Sequence, residues 1–121
     1  MTTRIENRHG GGIPDLHVLW DGMPFWVELK ISKSSRVKLS PHQVAWHTSY
    51  SARGGLSFFL VKALASSYIH LIRGSEAVDL AHKPLSEVRG SMFEGPAPML
   101  CALRAEVFDH YAGVVGRGPR S

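Results

Sequence analysis

The sequence predicts an α/β fold: a mixed β-sheet of about four or five strands flanked by helices. Three observations predict it. Leu16-His17-Val18-Leu19-Trp20 and Phe25–Ile31 are runs of strand formers joined across the turn dipeptide Asp21-Gly22, which reads as a hairpin. A strong helix start follows at Leu39-Ser40-Pro41-His42-Gln43. Leu56–Lys62 then reads as a buried central strand, so strand, helix and strand form a crossover.

Taken in order, Thr3-Arg4-Ile5-Glu6-Asn7 is a candidate first strand, followed by the glycine-rich entry Arg8-His9-Gly10-Gly11-Gly12. No G-K-[ST] follows these glycines, so they are not a nucleotide loop; they suit a sharp bend or a close approach of backbone to a ligand. In the second hairpin strand the residues alternate. Phe25, Val27, Leu29 and Ile31 face one side, and Trp26, Glu28 and Lys30 the other. A two-residue Asp21-Gly22 loop pairs Trp20 with Met23 and Asp15 with Glu28. A Gly22-Met23 loop pairs Asp15 with Lys30. Either register gathers Asp15, Glu28 and Lys30 on one face, whereas a one-residue slip separates them. Pro24 fits only where no backbone donor is needed.

Ser40 is the expected N-cap of the helix, Pro41 its first residue and Gln43 the partner that closes a capping box, with Leu39 and Val44 as the hydrophobic staple. The helix runs through Tyr50 to Gly54-Gly55. Tyr68–Ile72 is a strand beside the central one, and a short helix is expected near Ser75–Ala81. Met99–Val115 is helical, with Leu100, Leu103, Val107, Tyr111 and Val114 on one stripe. Residues 1–115 form one expected domain and 116–121 a disordered tail.

The chemistry follows from the gathered face. Two carboxylates prefer a hard, oxygen-seeking cation such as Mg²⁺ or Mn²⁺. A lysine beside such an ion can orient a water and stabilise charge developing on a phosphate. The pattern therefore points to cleavage of phosphodiester bonds. Gln43 has two readings: a cap alone, or a cap that also reaches the site.

Gly12-Ile13-Pro14-Asp15, then Glu28-Leu29-Lys30, then Leu39-Ser40-Pro41-His42-Gln43, then Gly54-Gly55 before an apolar strand, resembles the PD-(D/E)XK nuclease superfamily. The similarity is greatest to its VRR-NUC and Holliday-junction-resolvase-like branch, which includes small phage endonucleases. It covers roughly residues 4 to 72 and implies a restriction-endonuclease-like core. The resemblance implies that Asp15 and Glu28 bind the metal, with the Leu29 carbonyl often joining them. It implies that Lys30 positions or activates the attacking water, and that Gln43 helps hold the scissile phosphate or the lysine. Members usually carry a further acid on an N-terminal helix, for which the residues before Asp15 leave little room. Glu6 is a candidate for that ligand, and the helix around Glu106 a candidate for that helix's place.

The remaining composition agrees. Fourteen Lys and Arg against ten Asp and Glu give +4, a balance that suits a nucleic-acid backbone. Lys33, Arg36 and Lys38 cluster between the Glu28 strand and the Ser40 helix, and Ser32-Lys33-Ser34-Ser35 reads as a mobile loop beside the site. These residues, with Ser40 and His9, are the candidate DNA contacts. The other histidines lack the spacing of a metal motif and read as surface or packing residues. Cys101 is the sole cysteine, expected to fill space on its helix; it excludes an internal disulfide and cysteine zinc sites, and favours a cytoplasmic location. No apolar run spans a membrane. Expected partners are DNA, branched DNA above all, and a second copy in a C₂ dimer, since resolution of a junction needs two sites. The rival readings are a nuclease-like module that binds without cutting, and a small assembly protein.

Overall fold

In the computed structural model, residues 2–4 and 12–116 are described. The hairpin sets the register of everything else. Asp21 and Gly22 both take positive φ, 50° and 79°, the combination that a two-residue type I′ turn requires. Strands β2 (Leu16–Trp20) and β3 (Met23–Ser32) therefore pair Trp20 with Met23 and Leu16 with Val27. Counting one step further sets Asp15 level with Glu28, so the first of the two possible registers holds. The Trp26 amide donates to Leu56 O, towards the next strand. Pro24, two residues earlier, points the same way and so sits in a β2–β3 pair that exchanges no backbone hydrogen bonds.

Helix α1 (Pro41–Ala52) carries the chain back over the sheet to β4 (Ser57–Ala63), which lies parallel to β3. The remaining pairs are antiparallel: β1 (Thr2–Arg4) on β2, β5 (Tyr68–Arg73) on β4, and β6 (Ser91–Glu94) on β5. The order is β1-β2-β3-β4-β5-β6. The α/β architecture and mixed sheet are those the sequence predicts. Among the described residues the sheet has six strands: β1 falls on the expected first strand, of which Ile5, Glu6 and Asn7 lie outside the described residues, and the four-residue β6 is the strand the sequence does not predict. Ser91–Glu94 is too short to show a period and lies in a stretch rich in turn residues. The expected short helix is present as a 3₁₀ turn, Gly74–Glu76, leading into α2 (Ala77–His82).

Two cores lie on the two faces. On one, Phe25, Val27, Phe58 and Leu71 pack under α3 (Pro96–Gly116) through Met99, Leu103 and Val107. On the other, Phe59, Val61 and Ile72 pack with Val37, Ala77, Leu80 and Leu85, with α1 joining through Val44. Each buried Phe, Leu or Ile contributes on the order of 2 kcal/mol of transfer free energy. One face is covered unevenly, and two expectations change here. Leu29 and Ile31 are 50% and 68% exposed, because α3 covers only the Phe25–Val27 end of their face. Leu100 is 47% exposed while Met99 takes the buried place one residue earlier. Cys101 is exposed on α3 and does not fill a core position. The Val114 side chain and residues 117–121 lie outside the described set. No helix among the described residues is long and apolar enough to cross a membrane.

Candidate active site

The site forms where β2 ends and β3 continues. Gly12, at φ 77°, lets the chain pass so close to the start of α1 that a Cβ there would lie 2.3 Å from His42 O. The close approach is thus to the protein's own helix. Pro14 is fully buried behind it, which fixes the entry to Asp15. Asp15 Oδ2 accepts the Leu29 amide at 2.9 Å, in place of the β2 partner that Leu29 lacks. In an extended strand the amide and carbonyl of one residue point to the same edge. The Leu29 carbonyl is therefore directed to the edge that Asp15 occupies.

Glu28 is 3% exposed. Its carboxyl is pushed up to about 8, chiefly by burial, then by its hydrogen bond with Asp15 and the Asp15 charge; Lys30 opposes these. At neutral pH the metal-free Glu28 carboxyl thus keeps its proton, chiefly because burial disfavours its charged form. Glu28 Oε1 is buried without a hydrogen-bond partner. Two carboxylates joined by a hydrogen bond, with the Leu29 carbonyl directed to the same edge, are a set of oxygen donors that fits a hard divalent cation.

Gln43 performs both of the roles its sequence position allows. Its Oε1 accepts the Ser40 amide at 3.0 Å, closing the capping box, and also accepts from Lys30 Nζ at 3.0 Å. Ser40 Oγ in turn accepts the Gln43 amide at 3.1 Å. The cap that starts α1 is therefore the clamp that orients the lysine.

His47 belongs to the site, which sequence reasoning missed. It is fully buried, with its ring 4.1 Å from that of Phe59. Nδ1 is 2.8 Å from Ser57 Oγ, and Nε2 is 3.7 Å from Glu28 Oε1. In the tautomer whose Nδ1 accepts from the Ser57 hydroxyl, the ring proton sits on Nε2 and faces Glu28. Burial, and then the charge of Lys30, lower His47 to about 4, so it stays neutral behind the acid. A Cβ on Gly74 would come 1.9 Å from Ser57 Oγ, so only glycine leaves room for this pair. The available signal was the spacing: His47 lies four residues after Gln43, on the same helix face.

The other expected residues are placed as follows. Lys33, Lys38 and Ser40 are exposed beside the site. Arg36 is exposed too, but its Nη1 donates to His82 O at 2.8 Å. The loop is organised by its serines: buried Ser32 donates to Arg36 O at 3.1 Å, Ser34 donates to the same carbonyl at 3.2 Å, and the Leu85 amide donates to Ser35 O. Glu106 is not part of the acidic site. It lies on the opposite face, 3.0 Å from Arg73, because α3 packs on the Phe25 side of the sheet. Glu6 and His9 lie outside the described residues. Among the described residues no group of three or more His, Cys, Asp and Glu side chains gathers as a metal cluster; the oxygen donors are Asp15, Glu28 and the Leu29 carbonyl.

A comparison with protein-family models returns no match, and a comparison with curated proteins returns none either.

Proposed function

We propose that this chain is a divalent-metal-dependent nuclease that hydrolyses DNA phosphodiester bonds, with branched DNA preferred. The observation that carries the reading is the Lys30–Gln43 contact beside the Asp15–Glu28 pair. A lysine clamped next to two carboxylates, one of them buried and holding its proton, is an arrangement folding alone does not need. The order of motifs that resembles PD-(D/E)XK nucleases adds support.

Asp15 and Glu28, with the Leu29 carbonyl, would hold Mg²⁺ or Mn²⁺. When bound, the ion supplies Lewis acidity towards the phosphate and a lowered pKa for a water. Glu28 must give up its proton to act as a ligand, so metal uptake rises with pH. His47, paired with Ser57, lies behind the Glu28 carboxyl with Nε2 3.7 Å from Oε1. Lys30 has three N–H donors and spends one on Gln43; the other two are available to an attacking water and to a phosphate oxygen. Lys33, Arg36 and Lys38 offer backbone contacts and no base code, which favours recognition of DNA shape over sequence. Paired cuts across a four-way junction would come from a homodimer.

The deciding experiment is a cleavage panel with and without Mg²⁺ on duplex, single-stranded, flapped and four-way-junction DNA. Metal-dependent cutting, fastest on branched forms and weakened by salt, is the expected result. No cutting of any substrate, with DNA binding retained, would leave the non-catalytic binding module as the reading.

A further inference from the structure

Four half-buried rings form a row on the active-site face, starting two residues from each carboxylate. His17 follows Asp15 by two positions and pairs across the hairpin with Trp26, which precedes Glu28 by two. Their ring centroids are 4.6 Å apart. Trp46 of α1 meets Trp26 edge-on at 5.6 Å. Tyr50, one turn along α1, stacks on Trp46 at 4.7 Å with 24° between the planes. The third tryptophan, Trp20, packs against the core under α3 on the opposite face.

Beside Trp46 and Tyr50 a hollow of about 360 Å³ runs along α1, edged by His42, Ser49 and Arg53. No acidic side chain lines it. Large rings are normally buried for their area; here they stay part-open, next to an acid-free hollow edged by Arg53 and to the Asp15–Glu28 pair.

We propose that this row is a stacking platform for the base of an unpaired nucleotide whose backbone crosses the Asp15–Glu28 pair. The inference rests on the nuclease reading for the position of the phosphate and on the rings alone for the base. Trp26 and Glu28 are about 7 Å apart along β3, within the reach of one nucleotide. Stacking on an aromatic ring accepts any base, since every base has a π-face, but a base already stacked in a duplex is not available. The platform thus selects for single-stranded segments, such as those beside a flap or branch, without reading sequence. Arg53 at the rim of the hollow adds a cation for the neighbouring phosphate.

The test is metal-free, so it does not depend on cleavage. Intrinsic tryptophan emission is titrated in EDTA with a short oligothymidylate, a short oligouridylate and a blunt duplex of the same length. The deoxy and ribo strands separate DNA from RNA as the source of the unpaired base. Quenching by a single strand well below the duplex concentration needed is the expected result. Trp46→Ala weakens single-strand affinity by about 5- to 150-fold and leaves duplex affinity within about twofold. Tyr50→Leu keeps apolar bulk on α1 and serves if Trp46→Ala melts early; it loses about fivefold or more. Phe108→Ala, an exposed ring on α3, changes neither affinity. Equal quenching by duplex and single strands, no binding of any strand, or unchanged single-strand affinity in either folded ring variant overturns the platform. Single-strand binding through Trp46 in a protein that cuts nothing keeps the platform and removes the nuclease.

Discussion

The two faces of β3 make the most instructive comparison in the molecule. On the α3 face every residue is apolar, yet Phe25 and Val27 are buried while Leu29 and Ile31 are open to solvent. On the α1 face Glu28 and Ser32 are buried at 3% exposure although both are polar. Burial therefore follows what lies above each position, and hydropathy fixes only which side a residue takes. The polar face is tolerated because it is partnered: Asp15 with the Leu29 amide, Lys30 with Gln43, His47 with Ser57. The one gap, Glu28 Oε1 against His47 Nε2, falls where a ligand site is expected.

The comparison breaks first at its polar side. Glu28→Gln and Asp15→Asn should each lower Mg²⁺-dependent cleavage by about 10⁴-fold, near 5.5 kcal/mol of barrier, while the melting temperature in EDTA is kept. Wild-type turnover in either variant would remove the metal assignment. On the apolar side, Phe58→Ala empties a fully buried position and should cost about 3–5 kcal/mol in urea unfolding. A loss below about 1 kcal/mol would mean that α3 does not hold that face.

A pH series sharpens the contrast. Glu28 holds its proton more tightly folded (about 8) than at its ordinary 4.5. Its contribution is full below 4.5 and is lost as pH rises through 8. His47 behaves in the opposite sense, with a folded value of about 4 against 6.5. Its contribution is full above 6.5 and is lost as pH falls through 4. From 4.5 to 6.5 the two slopes oppose each other. From 6.5 to 8 only Glu28 acts, and the metal-free protein should lose about 2 kcal/mol. Mg²⁺ should restore stability at pH 8 by binding the ionised pair. Stability that climbs from pH 6.5 to 8 in EDTA would contradict the raised Glu28 value.

Smaller effects test the clamp and the open edge. Gln43→Glu keeps a capping-box acceptor for Ser40 but places a charge on Lys30. Cleavage should fall about tenfold (near 1.4 kcal/mol) with stability changed by no more than about 0.5 kcal/mol; a wild-type rate would leave Gln43 as a cap alone. Ile31→Thr, at an exposed position, should stay within about 0.5 kcal/mol of wild type in urea unfolding. A larger loss in a concentration-dependent transition would instead indicate that a second copy covers this edge.

Much of this was legible in the residues. Asp21-Gly22 sets the hairpin, and Ser40, Pro41 and Gln43 set the helix start, because turn and cap chemistry acts over two or three neighbours. The period of two placed Glu28 and Lys30 on one face for the same local reason. What stayed hidden depends on distance along the chain. His47 reads as a packing residue until β4 brings Ser57, and β3 brings Glu28, against its two nitrogens. Glu106 is an acid near the end of the chain until α3 chooses its side of the sheet, where Arg73 takes it. Sequence determined the strands, the helix start and the face of each β3 residue, since these follow from backbone geometry and short-range hydrogen bonds. Tertiary structure alone decided the sixth strand, the cover over each face and the buried Glu28–His47 contact, since these need elements far apart in sequence to exclude water from the same place.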